Sequence, residues 1–226
     1  MRILLLHAFP LDERMWEPQQ EAFDGASVDA PRLYGLGTTI DEWGQALAQR
    51  LTEPAVVVGA SMGGYAGLAL ARHAPDRVLG LVLAGSRPDP DDDARRRGRA
   101  DTIDLVQREG AEGLWRSLRP KLFPPEAPAE AVERARRIAL EQRPEELVTA
   151  LAVIRDRPDA SDVAYELGDR LLVVIGSRDP FVSGEEAHRF GHGASVAQFE
   201  GAGHLTNLER PEQFSHVVRD FVARWR

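Results

Sequence analysis

The most informative segment of the sequence is Ala55-Val-Val-Val-Gly-Ala-Ser-Met-Gly-Gly-Tyr-Ala-Gly-Leu-Ala-Leu-Ala-Arg72. It begins with an apolar β-branched run typical of a buried strand and ends in an Ala- and Leu-rich pattern typical of a helix. Between the two lies Gly59-Ala-Ser-Met-Gly63, a G-x-S-x-G sequence. Small residues on either side of a serine allow a sharp strand-to-helix turn, which holds the hydroxyl above the sheet. We therefore predict that Ser61 is a nucleophile; the alternative is a Gly-rich junction that binds phosphate or only turns.

Two backbone amides are candidate donors to a developing oxyanion. The N–H of Met62 lies at the predicted helix start, where the helix favours negative charge. The loop His7-Ala-Phe-Pro10 follows the first predicted strand, so it can aim a second N–H, that of Phe9, at the same point. The His7 side chain itself is expected to brace this loop by hydrogen bonds.

Composition excludes several classes of function. The 226 residues suffice for one α/β domain, and a net charge of −8 argues against nucleic acid as a partner. There is no cysteine, which excludes disulfides, thiolate metal sites and cysteine nucleophiles. We interpret the basic run Arg95–Arg99, which follows the acidic segment Asp89–Asp93, as a solvated loop and helix start. No apolar run is long enough for a signal segment or a membrane span, so we predict a cytoplasmic protein without a membrane partner.

Strands and helices are predicted to alternate in both parts of the chain that flank a central helical region. Thr39 and Glu42 have capping-box spacing, which predicts a helix ending near Leu51. This alternation predicts an α/β fold, with a mostly parallel sheet and helices on both faces. The predicted strands are an apolar run from Arg2 into the His7 loop, then Ser27–Arg32, Ala55–Gly59, Val78–Ala84, Arg170–Gly176 and Ala194–Phe199. The other predicted helices are the one that follows Ser61 and ends at His73, and those at Glu185–Phe190 and Glu212–Trp225.

The region between the two parts contains no convincing strand. Four helical stretches are predicted there, near Gly98–Glu109, Ala111–Leu122, Glu130–Gln142 and Pro144–Arg155. A helical insertion between two parallel strands is most simply a cap over their carboxyl ends, where ligands bind in such sheets. We therefore predict a core of residues 1–86 and 163–226 and a helical cap of residues 87–162. Trp115, Leu118 and Leu122 have helical spacing typical of core packing, and one or two of them could face the pocket.

A serine hydroxyl needs a base within hydrogen-bond reach, and that base needs a partner that fixes its tautomer. His204 is the predicted base, because it follows the last predicted strand in the loop Gly201-Ala-Gly-His204. Surface positions are expected for His73, His188 and His216, which lie in predicted helices, and for His192, which lies in a short glycine turn.

Asp179 is the predicted partner of this base, because Gly176-Ser-Arg-Asp-Pro180 also follows a strand. The alternative is that Asp179 only caps the turn before Pro180. Asp89 is the second candidate acid, and Glu209 ranks below it as an ordinary charge near a helix start.

Four motifs together resemble the α/β-hydrolase superfamily over essentially the whole chain; they are His7-Ala-Phe-Pro10, Gly59-Ala-Ser-Met-Gly-Gly64, Gly176-Ser-Arg-Asp179 and Gly203-His204. The resemblance implies the α/β-hydrolase fold, with Ser61 as nucleophile, His204 as base and Asp179 as acid. It also implies that the amides of Phe9 and Met62 form the oxyanion hole.

One departure from the family pattern concerns that oxyanion hole. Ala8 stands where relatives usually carry glycine, and alanine fits only with a negative φ. Within the superfamily the chain is most similar to 3-oxoadipate enol-lactonases and small bacterial carboxylesterases.

These observations predict a hydrolase that cleaves a small ester or lactone through an acyl-serine intermediate, with no metal or organic cofactor. The alternatives on the same scaffold are a C–C bond lyase or hydrolase and a catalyst similar to a menaquinone-pathway synthase. An alternative of another class is a non-catalytic receptor for a small molecule. The sequence leaves the acyl group, the alcohol and the oligomeric state open.

Overall fold

The centre of the molecule is a six-stranded sheet in which every strand pairing is parallel. The protein is described by a computed structural model that covers residues 1–23 and 25–225. The strands are β1 Arg2–Leu6, β2 Ser27–Asp29, β3 Ala55–Ala60, β4 Val78–Ala84, β5 Leu171–Gly176 and β6 Ser195–Phe199, in the spatial order β2-β1-β3-β4-β5-β6. The predicted parallel sheet is therefore confirmed. Only β2 is clearly shorter than predicted, because Pro31 has no N–H to donate and ends the ladder.

The order of the strands reverses between β1 and β3. The chain passes from β1 outward to β2 and then returns to β3 on the other side of β1. In an open parallel sheet, the crevice at the carboxyl ends of two such strands is where ligands bind. The loops after β1 and β3, which carry Phe9 and Ser61, meet there.

The helices cover both faces of the sheet, as predicted. Alternate side chains of each strand point to opposite faces, so Val57 packs in one apolar cluster and Val56 in the other. The helices are α1 Glu17–Gln20, α2 Ile40–Arg50, α3 Met62–His73, α4 Asp93–Leu122, α5 Ala129–Leu140, α6 Pro144–Asp156, α7 Ser161–Leu167, α8 Gly184–Ala187, α9 Thr206–Glu209 and α10 Pro211–Val222. One face is covered mainly by α2, α3 and α7, and the other by α10 and the segment after β1.

Local sequence signals position several of these helices. The predicted capping box of α2 is present, since the Thr39 hydroxyl accepts the Glu42 N–H and the Glu42 carboxylate accepts the Thr39 N–H. Helix α4 begins at Asp93, before the predicted Gly98, because the Asp92 side chain accepts the Arg95 N–H at 2.8 Å and caps it.

The segment between β4 and β5 is helical throughout its regular structure. Gly110, with φ 64° and ψ −159°, divides α4 into two parts, which correspond to the first two predicted helical stretches. Helices α4 and α6 pack closely against one another. The division into a core and a cap at residues 87–162 stays a prediction, and its second boundary falls inside α7. Among the described helices, none combines the length and apolar character that crossing a membrane requires.

Candidate active site

The turn between β3 and α3 holds Ser61 in a strained conformation. Ser61 has φ 48° and ψ −112°, and it is the only non-glycine residue with a positive φ in residues 1–23 and 25–225. Backbone strain of this kind costs about 1–3 kcal/mol and persists only where surrounding contacts enforce it. Here the Ser61 N–H donates to the Ala84 carbonyl at 2.7 Å, and the Ser61 carbonyl accepts the Gly64 N–H at 2.9 Å. The turn is therefore anchored to β4 on one side and to its own helix on the other.

Gly63 explains why the motif needs a small residue after the serine. A Cβ at position 63 would collide with the carbonyl oxygen of Leu6, the last residue of β1. Glycine therefore lets the first turn of α3 lie directly against β1. This close approach brings Ser61 beside the loop that follows β1.

The structure brings His204 and Asp179 together, as the sequence predicts. The distance from His204 Nδ1 to Asp179 Oδ2 is 2.9 Å, and the two side chains are 4% and 0% exposed. The other carboxylate oxygen of Asp179 accepts the Phe181 N–H at 2.8 Å. This arrangement orients the carboxylate toward Nδ1, so that a neutral His204 ring carries its proton there and leaves Nε2 unprotonated.

The loop that carries His204 is fixed from two sides. The His204 N–H donates to the Leu122 carbonyl at 3.1 Å, and the preceding Gly203 N–H donates to both Glu209 oxygens, at 2.9 and 3.1 Å. A Cβ at position 203 would lie 2.6 Å from Pro124 Cδ, so only glycine fits under the end of α4.

Glu209 is more than the ordinary surface charge that the sequence suggests. Glu209 is only 2% exposed, and burial raises the pKa of its carboxyl although the Gly203 N–H opposes that change. Its burial depends on tertiary packing, which explains why sequence reasoning missed it. The interpretation as an ordinary helix-approach charge is wrong, because this carboxylate braces the loop of His204.

Ser61, His204 and Phe9 line one cleft of about 380 Å³. In the part of the chain that the structure describes, Ser61 Oγ makes no hydrogen bond to the His204 ring. Such contacts are often long in unliganded sites and shorten when substrate binds. The structure therefore brings the two side chains to one cleft without joining them directly.

The amides of Phe9 and Met62 lie at the ends of β1 and β3. Neither N–H donates to a backbone carbonyl within residues 1–23 and 25–225. The departure at Ala8 is accommodated, because its φ is not positive and its N–H is directed at the Met15 sulfur, 3.1 Å away. Both amides are consequently available as donors.

His7 braces the loop after β1, as predicted. Its Nε2 accepts the Leu33 N–H at 2.9 Å, and its Nδ1 lies 3.2 Å from the Ala8 carbonyl. Burial lowers the pKa of His7 to about 4, so the ring is neutral at pH 7. With Nε2 accepting, the proton lies on Nδ1, where it is donated to Ala8.

Asp89 does not contact His204. Its carboxylate binds Arg87 at 2.7 Å and Arg95 at 3.4 Å. The structure thus gives Asp89 arginine partners and gives His204 a different carboxylate, that of Asp179.

Sequence reasoning missed a group of arginines at the cleft. Arg95 and Arg99 line the same cleft as Ser61, together with Arg87, so the interpretation of this basic run as solvated is wrong for these two residues, whereas Arg96 and Arg97 are exposed. Their spacing of four residues near the start of α4 was the available signal, because such residues share one helix face. Of the apolar stripe, Leu118 and Leu122 line the cleft, whereas Trp115 packs in the core with Phe123.

Comparison with known proteins gives one family and a consistent set of relatives. The model of the alpha/beta hydrolase family matches residues 3–217. A thermophilic esterase from Thermogutta terrifontis, solved with malate bound, has a TM-score of 0.91 at 30% identity, with 99% of this chain and 90% of that chain covered.

Two named enzymes show sequence similarity. A pimeloyl-(acyl-carrier protein) methyl ester esterase from Aromatoleum aromaticum is 38% identical over 95 residues, which are 38% of this chain and 37% of that enzyme. A 3-oxoadipate enol-lactonase from Acinetobacter baylyi is 26% identical over 205 residues, with 86% of this chain and 72% of that enzyme covered. The expected resemblance to α/β-hydrolases, esterases and enol-lactonases, and the expected fold, are confirmed.

Proposed function

The chain belongs to the alpha/beta hydrolase family, and on that premise we propose that it cleaves a small carboxylic ester or lactone through an acyl-serine intermediate. Its relatives include esterases and an enol-lactonase, so the chain is a hydrolase by class. The observation that carries the finer proposal is the buried pair of His204 and Asp179, with 2.9 Å between Nδ1 and Oδ2, in the cleft that also holds Ser61. A strained serine beside a carboxylate-oriented imidazole is the arrangement that activates a hydroxyl.

In the first half of the proposed reaction, Ser61 Oγ attacks the carbonyl carbon of the bound ester. His204 Nε2 takes the hydroxyl proton as the new C–O bond forms, and Asp179 stabilises the imidazolium. The carbonyl oxygen becomes an oxyanion that the Phe9 and Met62 N–H groups stabilise. Removing one such donor typically costs a factor of about 10²–10³ in kcat.

The tetrahedral intermediate then collapses. The bond to the leaving oxygen breaks, His204 gives its proton to that oxygen, and the acyl group remains on Ser61. In a lactone the freed alcohol stays attached to the acyl chain.

The second half of the reaction releases the acid. His204 takes a proton from a water molecule, and the resulting hydroxide attacks the acyl carbon. Collapse of the second intermediate breaks the bond to Ser61 Oγ, which recovers its proton from His204. The products are a carboxylic acid and an alcohol, and the residues return to their starting state.

Hydrolysis of p-nitrophenyl acetate and butyrate by wild type and by Ser61→Ala tests this proposal. We expect turnover by wild type and none above background in the variant. A serine-directed phosphonate should label wild type at Ser61, which mass spectrometry of the digested protein would locate.

Two other outcomes would contradict ester hydrolysis and favour one of the alternative functions. Labelling of Ser61 without turnover of any ester would favour a C–C lyase or a synthase-like catalyst on the same scaffold. Neither labelling nor turnover in folded protein would overturn the nucleophile and favour a receptor that binds a small molecule.

A further inference from the structure

A network of arginines and carboxylates lies at the cleft that contains Ser61; all its members line the cleft except Asp89 and Arg157, which bind members that do. We call it the arginine–carboxylate wall. Its four arginines are Arg87, Arg95, Arg99 and Arg157. Its four carboxylates are Asp89, Asp91, Asp92 and Glu186. The formal charges cancel, so the hydrogen-bonding capacity that remains on each side determines what the wall can bind.

The carboxylates on the α4 side have no oxygen without a partner. Asp91, whose side chain is 1% exposed, accepts Arg157 Nη1 at 2.8 Å on one oxygen and Arg99 Nε at 3.1 Å on the other. Asp92 accepts the Arg95 N–H at 2.8 Å and Arg95 Nε at 3.1 Å. The Arg95 N–H holds the pKa of Asp92 below its ordinary value, which keeps this acceptor ionised.

Each oxygen of the other two carboxylates also has an N–H partner. Asp89 binds Arg87 Nε at 2.7 Å through one oxygen and meets Arg95 at 3.4 Å through the other. Glu186 binds Arg87 Nη2 at 2.9 Å through one oxygen and the Ser183 N–H at 2.9 Å through the other. Each carboxylate oxygen of the wall thus already has at least one N–H partner, and the weakest of these contacts is the one between Arg95 and Asp89 at 3.4 Å.

The four arginines of the wall differ in how many of their nitrogen atoms donate to an acceptor. The Arg157 guanidinium is 2% exposed, donates to Asp91 and to two carbonyls, and lies 4.0 Å from the centre of the Tyr65 ring. Arg87 donates through all three of its nitrogens. Both are structural members of the wall.

Arg99 is different, because only its Nε is engaged, by Asp91. In the described part of the chain, neither Nη of Arg99 has an acceptor, and its side chain is 24% exposed where it lines the cleft. Arg95, one turn earlier on α4, reaches Asp89 with its Nη atoms only at 3.4 Å. Arg157 Nε also has no acceptor among the described residues, but it is buried. The unpaired donors at the cleft are therefore the two Nη atoms of Arg99, next to the weakly held Nη atoms of Arg95.

We propose that Arg99, together with Arg95, binds a free carboxylate on the substrate. The inference rests on the proposed function and specifies its substrate class: an ester or lactone that carries a carboxylate separate from the carbonyl that Ser61 attacks. The planar fork of a guanidinium matches the two oxygens of a carboxylate, and Asp91 fixes the fork before binding. Leu118, Leu122 and Ile154 line the same cleft and provide an apolar surface for a short methylene chain between the two groups.

Monomethyl glutarate and methyl pentanoate form a matched pair of test substrates, because both have a five-carbon acyl chain and only the first has a carboxylate. Methanol release gives kcat/KM for each. We expect wild type to prefer monomethyl glutarate by at least about tenfold, the size of one modest charge-assisted contact. We expect Arg99→Gln to reduce this preference by at least about tenfold. The matched control is Arg189→Gln, because Arg189 is an exposed arginine that pairs with Glu185 on α8 and does not line the cleft; it should keep the wild-type preference.

A binding measurement separates failure of this inference from failure of the proposed function. Glutarate should raise the melting temperature of wild type and of Arg189→Gln but not of Arg99→Gln, whereas 1,5-pentanediol should raise none of them. Equal kcat/KM for the two esters, or a glutarate effect that survives in Arg99→Gln, would overturn the carboxylate site even if p-nitrophenyl acetate is hydrolysed. If no ester is hydrolysed at Ser61, the proposed function fails, and the glutarate result alone decides the carboxylate site.

Discussion

The loops that carry His7 and His204 occupy similar places in the fold but give their imidazoles different surroundings. Each loop follows a parallel strand at the carboxyl edge of the sheet, and both rings are almost completely buried. His7 is held by a backbone N–H and a backbone carbonyl. His204 is held by the buried carboxylate of Asp179.

This difference shows that the neighbouring loop sets the chemistry of a buried histidine. Burial lowers the pKa of His7 to about 4, although its bond to the Ala8 carbonyl opposes the change, so this ring stays neutral and serves as a fixed donor and acceptor. The carboxylate beside His204 instead orients the ring and can stabilise the imidazolium that forms when the ring takes up a proton during a reaction. Substitutions at the two histidines and at the residues that hold them should therefore have different effects on catalysis and stability.

Replacement of His204 should have the largest effect. His204→Ala removes the proposed base, and loss of the base in serine hydrolases costs on the order of 10⁶ in kcat. The expected result is near-complete loss of p-nitrophenyl acetate turnover with a cooperative thermal transition retained. Activity within tenfold of wild type would mean that His204 is not the base.

Replacement of Asp179, the partner of His204, should reduce kcat less than replacement of His204 does. Asp179→Asn keeps the size of the side chain but removes the charge and favours the wrong tautomer of His204, which typically costs on the order of 10⁴ in kcat. Steady-state kinetics at pH 7 would measure the effect. A loss below about threefold would exclude Asp179 as the acid.

Replacement of Glu209 tests the support of the His204 loop. Glu209→Gln retains one acceptor for the Gly203 N–H but loses the charge and the second oxygen. We therefore expect kcat to fall about tenfold while KM stays within about twofold of wild type. A modest displacement of a reacting group slows the chemical step without removing substrate contacts. The kcat of Glu209→Ala should fall further, because this substitution leaves the Gly203 N–H buried without a partner. Unchanged kcat in both variants would limit Glu209 to a role in stability.

A feature can be predicted from the sequence when the residues that determine it lie close together in the chain. The turn at Ser61, the capping box at Thr39 and the strands are encoded within a few residues, and the structure matches them closely. The pairing of Asp179 with His204 was predictable because parallel strands end at one edge of the sheet.

The features that the sequence did not reveal depend on contacts between distant segments. Arg99 lines the cleft because Asp91 orients it, and Asp91 is held by Arg157, which is 66 residues away in sequence. Glu209 is buried next to Gly203, which itself lies against Leu122 and Pro124 at the end of α4. Periodicity and charge patterns describe a helix face but not what covers it, so the arginine run alone indicates a solvated surface.

Replacement of His7 should have the smallest effect on catalysis and a distinctive effect on stability. His7→Gln can still accept the Leu33 N–H but loses the bond to Ala8, so we expect kcat within about tenfold of wild type. Loss of one buried hydrogen bond should lower the free energy of unfolding at pH 7 by about 1–3 kcal/mol.

The dependence of that stability loss on pH distinguishes the two histidine environments. The folded-state pKa of His7 is about 4, below the value near 6.5 of an unfolded chain, so between these pH values the unfolded state binds a proton that the folded state does not. The stability that neutral His7 contributes is therefore complete above pH 6.5 and decreases as pH falls, by about 1.4 kcal/mol per pH unit. His7→Gln lacks this group, so its deficit relative to wild type should shrink by about 2 kcal/mol between pH 6.5 and pH 5. Urea unfolding of both proteins, followed by tryptophan fluorescence at several pH values, measures the difference. A deficit that stays constant over this range would show that burial does not lower the pKa of His7.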